Sequence, residues 1–187
     1  FEAPRRGGKL RIGIAAQQLR EHNGANYCYH WFANLPKEDY EFFTYSFGPS
    51  TDALGERFRQ LGTHRELPFT LERIEGIVTD FRKDDLDFLM LPEVGMTNAS
   101  RMLSMCRLAR HQATGWGHPI TTGSPEMDFF ISSDLHEGEG AAAHYSEELV
   151  LMPNLAQFVE PQTFAYDPEA FGFERETVLY GFLQSLF

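Results

Sequence analysis

Apolar positions along this chain fall into two alternating rhythms. Leu10, Ile12 and Ile14 recur every second residue in Lys9–Ala15, as in a strand, and a polar loop ending at Asn23-Gly24 follows. From Asn26 to Leu35, Tyr27, Cys28, Trp31, Phe32 and Leu35 recur at helical spacing. Tyr40–Phe47 is aromatic-rich and reads as a strand stopped by Gly48-Pro49. Leu54, Phe58 and Leu61 mark a short helix ended by Gly62, and His64–Phe69 a short strand. Thr70 is placed to cap a helix whose buried face is Leu71, Ile74, Ile77, Val78 and Phe81, and the charged run from Thr79 to Asp87 reads as its solvated end. Leu86–Leu91 is nearly all apolar, as a strand buried on both faces requires. A strand-end loop, Pro92–Thr97, leads to a helix with Ala99, Met102, Leu103 and Cys106 on one face. A fifth strand-like run opens at Gln112, and Asp128–Ser132 and Leu149–Met152 are further strands. Val178–Leu183 closes the series.

Strand alternating with helix predicts a Rossmann-like, doubly wound, mostly parallel α/β sheet with right-handed crossovers. In such a sheet the loops after the strands gather along one edge, where ligands bind. Gln112–Asp128 stands out among them. It breaks into Gly-His-Pro, a Thr-Thr pair, a glycine and a Ser-Pro, so it offers hydroxyls, backbone amides and one imidazole. Gly117 and Pro119 aim and stiffen His118. The Thr121, Thr122 and Gly123 hydroxyls and amides make a candidate nest for phosphate oxygens. His22, in the loop after the first strand, is a candidate base or hydrogen-bond donor, and Thr97 ends the third notable loop.

The 187 residues suit one domain, or one domain with a fragment of another. A net charge of −11 without a basic patch argues against nucleic acid and anionic membranes as partners. Any phosphate-binding site must therefore rest on local positive groups. Cys28 and Cys106 read as small core residues in a reducing compartment, and no Cys/His spacing suggests zinc. His136, Glu137, Glu139 and His144 sit in a glycine-rich stretch that reads as a solvated loop rather than a metal site. The dinucleotide fingerprint GxGxxG, the P-loop and the GxSxG elbow do not occur.

The run WGHPITTGSPEMDFFISSD (Trp116–Asp134), followed by HYSEELVLMPN (His144–Asn154), resembles the first catalytic half of the protein O-GlcNAc transferase and SPINDLY-like family. The Gly-His-Pro-x-Thr-Thr form and Val94-Gly95-Met96 are also similar to bacterial cytoplasmic N-glycosyltransferases. The resemblance implies the first lobe of a GT-B enzyme, an inverting, metal-independent transferase that moves a sugar from a nucleotide-sugar donor to a protein side chain. It implies a cytoplasmic protein with no cofactor. It assigns catalytic roles to His22 and His118 and donor-facing roles to Gln112, Thr121 and Thr122, and places Gln184 at the start of a nucleotide-binding lobe. Residues 1–8 are then a linker, 9–155 the first lobe, and 156–187 the connection to a second lobe expected to begin with a lysine after Phe187. Two departures stand out: Met96 replaces a histidine common in relatives, and Gln17-Gln18 a frequent acidic residue. The alternative is a non-catalytic α/β module that binds a peptide or sugar or serves a regulatory role.

Overall fold

A computed structural model describes residues 8–115, 117–155, 167 and 169–174. The expected strand at Val178–Leu183, Gln184 and the first seven residues of the linker lie outside the described residues. Seven strands form one sheet: β1 (Leu10–Ala16), β2 (Tyr40–Ser46), β3 (Thr63–Glu66), β4 (Leu86–Met90), β5 (Ala109–Gly115), β6 (Phe129–Ser133) and β7 (Glu148–Met152). The order is β3-β2-β1-β4-β5-β6-β7 and every pairing is parallel. The chain runs outward from β1 to β3, then returns to the other side of β1. The direction reverses between β1 and β4, where α/β sheets open a ligand crevice.

Both faces are covered, as the doubly wound reading requires. Helices α1 (Asn23–Ala33) and α2 (Ala53–Arg59) pack Cys28, Phe32 and Phe58 on Ile12, Ile14 and Phe42. On the other face, α3 (Ile74–Asp84) and α4 (Asn98–Leu103) pack Ile77, Phe81 and Leu103 against Phe43, Tyr45 and Leu89. Cys28 is buried and Cys106 half-buried just past α4, and both are free thiols.

Three local expectations change. Helix α1 starts at Asn23 rather than Asn26, because His22 caps it through Nδ1, which accepts from the Gly24 amide at 3.2 Å. Apolar periodicity marks a buried face but is blind to the first turn. Thr70 makes no side-chain cap; the chain enters α3 through a 3-10 turn, Leu71–Arg73, instead. The charged run at the end of α3 is only partly the solvated end expected: Thr79, Arg82 and Lys83 are exposed, but its last carboxylates turn inward. Asp84 and Asp87 are buried. Asp84 takes the Arg65 fork at 2.5 and 2.6 Å and the Tyr45 hydroxyl at 2.8 Å, while Asp87 accepts from the Arg11 amide at 2.9 Å and from Arg110 at 3.3 Å. Together they knit the N-terminal edge of the sheet, leaving the opposite edge for the site. Asp84→Ala is expected to lower stability by about 3 kcal/mol, because it strands the Tyr45 hydroxyl in the core. Urea denaturation of the variant measures it.

Candidate functional site

β1, β4 and β5 are neighbours, so the loops that leave their C-terminal ends share one edge. The middle loop, Pro92–Thr97, holds the other two. Glu93 is only 3% exposed, and its carboxylate accepts the backbone amides of Gln17 at 2.8 Å and Gln18 at 2.9 Å. Burial pushes the Glu93 carboxyl up, against those two amides and the nearby His22 and Arg20, which pull it down. Two residues on, Gly95 (φ 95°) lies flat against the His118 ring, and a Cβ there would collide with Cδ2. Gly117 is required for a similar reason, since a Cβ would strike the Pro92 carbonyl oxygen. Two glycines thus let the loops after β4 and β5 touch and fix where His118 lies. Thr97 caps α4 by accepting from the Ser100 amide at 3.2 Å.

Between α4 and the loop after β5 lies a cleft of about 400 Å³. Its polar lining includes His118, Arg101, Thr121 and Thr122, and its apolar lining includes Met105 and Ile120, both more than half exposed. His118 is half-buried, and its ring has no hydrogen-bond partner among the described residues. Arg101 is exposed, and its guanidinium likewise has none. A cleft with apolar walls and a few uncommitted polar groups suits a small-molecule ligand.

The predicted site residues divide into two groups. His118, Thr121, Thr122 and Gly123 line this cleft together with Gly95, whereas Gly117 and Thr97 shape the loops beside it without lining it. Gln112 plays a different part. It is fully buried, with Oε1 accepting the Leu108 and Ala109 amides at 2.6 and 3.2 Å and Nε2 donating to the Cys106 and Glu126 carbonyls at 3.1 and 2.8 Å. Those four bonds exhaust a carboxamide, so Gln112 shapes the floor beneath the loop and has no group left for a ligand.

The Thr-Thr-Gly nest is already filled by the protein itself. Glu147, 5% exposed, reaches in from the loop before β7. Its Oε1 accepts the Thr122 amide at 2.8 Å and the Thr122 hydroxyl, and its Oε2 accepts the Thr121 hydroxyl at 2.7 Å. The Gly123 amide donates to the Ser146 hydroxyl at 3.1 Å. Burial alone would push the Glu147 carboxyl up, but the bonds from Thr122 and Thr121 outweigh it and hold it below the usual range. The expected phosphate nest is therefore an internal carboxylate clamp, and the charge available to an anion in the cleft comes from Arg101.

His22 does not line this cleft. Because its Nδ1 is spent on the α1 cap, the neutral ring carries its proton on Nε2. Towards a ligand His22 is then a donor, whereas His118 keeps both ring nitrogens for use.

Sequence and fold can be compared with proteins already known. Over 151 residues the chain is 28% identical to a probable UDP-N-acetylglucosamine–peptide N-acetylglucosaminyltransferase SPINDLY of Solanum lycopersicum, covering 78% of this chain and 16% of that protein. The protein of the same description from Eustoma exaltatum subsp. russellianum is 33% identical over 131 residues, 65% of this chain and 14% of its own length. A lysine-to-methionine mutant of the Thermobaculum terrenum O-GlcNAc transferase superposes with a TM-score of 0.73 at 25% identity, over 80% of this chain and 28% of that one. Over most of its length this chain is similar to part of the O-GlcNAc transferases. It spans about a sixth of the length of the curated relatives it matches. No family model matches it. Among the described residues no helix is long and apolar enough to cross a membrane.

Sequence reasoning did not find Arg101, Glu93 or Glu147. Arg101 left a signal, since Ala99, Met102 and Leu103 define the buried face of α4 and put Arg101 on the other. The two glutamates left none, because their partners lie 75 to 76 and 25 to 26 residues away.

Proposed function

We propose that this chain is the first lobe of an inverting, metal-independent GT-B glycosyltransferase, which transfers a sugar of the N-acetylglucosamine class from a nucleotide-sugar to a protein side chain. The observation that carries this is His118, pressed on Gly95 with both ring nitrogens uncommitted, in the same cleft as Arg101. Transfer needs a proton acceptor or donor near the anomeric carbon and positive charge near the departing diphosphate. His118 suits the first role and Arg101 the second. His22, a donor through Nε2, suits a hydrogen bond to donor or acceptor rather than proton abstraction. Thr121, Thr122 and Gly123 hold the loop that carries His118 in shape through Glu147 and Ser146. The names of the relatives support UDP-N-acetylglucosamine as the donor and a peptide as the acceptor. A second lobe, with Gln184 at its start, would supply the nucleotide contacts that this cleft does not make. The free thiols of Cys28 and Cys106 accord with a cytoplasmic enzyme.

The test is turnover of UDP-N-acetylglucosamine by the complete gene product, with its own proteome as acceptor. His118→Ala is expected to lower kcat/KM about 100-fold, the scale of a lost general acid or base. Arg101→Ala is expected to raise the donor KM by about tenfold, the scale of one lost charged hydrogen bond. No turnover in the parent protein, or full turnover in His118→Ala, would sink the reading.

A further inference from the structure

A second cavity opens on the far side of the same loop. It measures about 350 Å³ and is lined by Pro119, Phe130, Ser132, His136, Glu137 and Tyr145. His136, exposed, and Glu137, half-buried, lie on the turn after β6, in the solvated stretch that the sequence predicts, and form one side of this cavity. The His136 Nδ1 pairs with the Ser133 hydroxyl at 2.7 Å. The Ser132 and Tyr145 hydroxyls donate to the same oxygen of Glu137, Oε1, at 2.6 and 2.7 Å. Those bonds hold the carboxylate still and leave Oε2 without a partner among the described residues. Tyr145 remains a donor across the physiological range, since burial and then Glu137 push its hydroxyl up to about 12. Its ring leans on Phe130 with centroids 4.5 Å apart. Among the described residues no Lys or Arg lines this cavity.

We propose that this cavity is a subsite for a cationic side chain, lysine or arginine, of the polypeptide acceptor. A fixed carboxylate with one open oxygen beside aromatic rings is what a guanidinium or ammonium prefers, through a charge-assisted bond and contact with the π-system. The Glu137 carboxylate in the pocket, within a chain of net charge −11, favours a basic segment over an acidic one. Position sets the register. Pro119 lines this cavity and His118, the residue before it, lines the other cleft. An extended peptide advances about 3.3 Å per residue. The basic side chain therefore belongs one to three positions from the residue that reacts at His118. The assignment of reaction and acceptor rests on the proposed transferase function; the cation subsite itself does not.

The experiment is a titration of the isotope-labelled chain, followed by NMR at Tyr145 and His136. The probes are Nα-acetyl-argininamide, its neutral isostere Nα-acetyl-citrullinamide, and free N-acetylglucosamine. Saturable shifts with the arginine probe are expected, with roughly tenfold weaker binding of the citrulline probe. Glu137→Gln keeps an oxygen for Ser132 and Tyr145 and is expected to weaken the arginine probe by a similar factor. Tyr145→Phe keeps the ring and is expected to retain binding within about threefold. Equal binding of arginine and citrulline, an unaffected Glu137→Gln, saturation by N-acetylglucosamine instead, or no saturable shift at all would each overturn the subsite. Failure here leaves sugar transfer at His118 untouched, and failure of transfer leaves arginine binding readable, so the two ideas fall separately.

Discussion

Gln112→Leu is expected to lower stability by about 4 kcal/mol. Leucine fills the space but satisfies none of the four backbone groups that Gln112 serves: the Leu108 and Ala109 amides and the Cys106 and Glu126 carbonyls. Each buried group left without a partner costs about 1–3 kcal/mol, and partial relaxation keeps the sum below the maximum. A loss of that size lowers the melting temperature of a domain this large by roughly 10 °C. Urea unfolding and thermal melts measure it. The substitution also separates two roles for this residue. If Gln112 only braces the floor, ligand affinity per folded molecule changes little. A variant as stable as the parent but unable to bind nucleotide-sugar would return Gln112 to the ligand shell.

Removing Glu147 is expected to have the next largest effect, about 2–3 kcal/mol for Glu147→Ala. The change removes the acceptor of the Thr122 amide and hydroxyl and one partner of the Thr121 hydroxyl, leaving Ser146 as the tie between the loop after β5 and the segment before β7. Faster hydrogen exchange at Thr122 and Gly123 is the local readout. The pH dependence follows from the direction of the shift. The folded-state pKa lies below the ordinary 4.5, so the unfolded chain binds the proton more readily. The contribution of Glu147 is present above pH 4.5 and is lost as pH falls through the folded value. The stability gap between the parent and Glu147→Gln should therefore narrow as the solution is acidified below 4.5. A gap that stays constant down to the acid transition would show that charge is not what the clamp uses. Glu93 works in the opposite sense. Its raised pKa gives a contribution that is full below 4.5 and lost as pH rises through the folded value, so the two buried glutamates must be separated by substitution.

The layout of strands and helices was readable because burial imposes a period on each element. The alternation through Ile12 and Ile14 marked a strand with a buried side, and Ile74, Ile77 and Phe81 a helix with one. Alternation of the two kinds then left a parallel doubly wound sheet as the natural answer, and the sheet put the loops after β1, β4 and β5 on one edge. Gly-His-Pro at the end of β5 was visible as a stiff loop with an aimed imidazole. What the residues of that loop touch was not visible, because it depends on partners distant in sequence. Thr121, Thr122 and Gly123 read as an anion nest from their chemistry, and they do bind an anion, but it is the carboxylate of Glu147. Gln112 read as a ligand contact and is instead a fully bonded brace. Asp84 and Asp87 read as solvent-facing charge and are buried, since Arg65, Arg11 and Arg110 arrive from other strands. Sequence by itself determined the elements, their order and the edge where chemistry gathers, all consequences of local periodicity and chain topology. Only the tertiary structure decided which polar groups are spent inside the protein and which, like His118 and Arg101, remain free to meet a ligand, because a hydrogen bond is settled by whatever the fold brings within 3 Å.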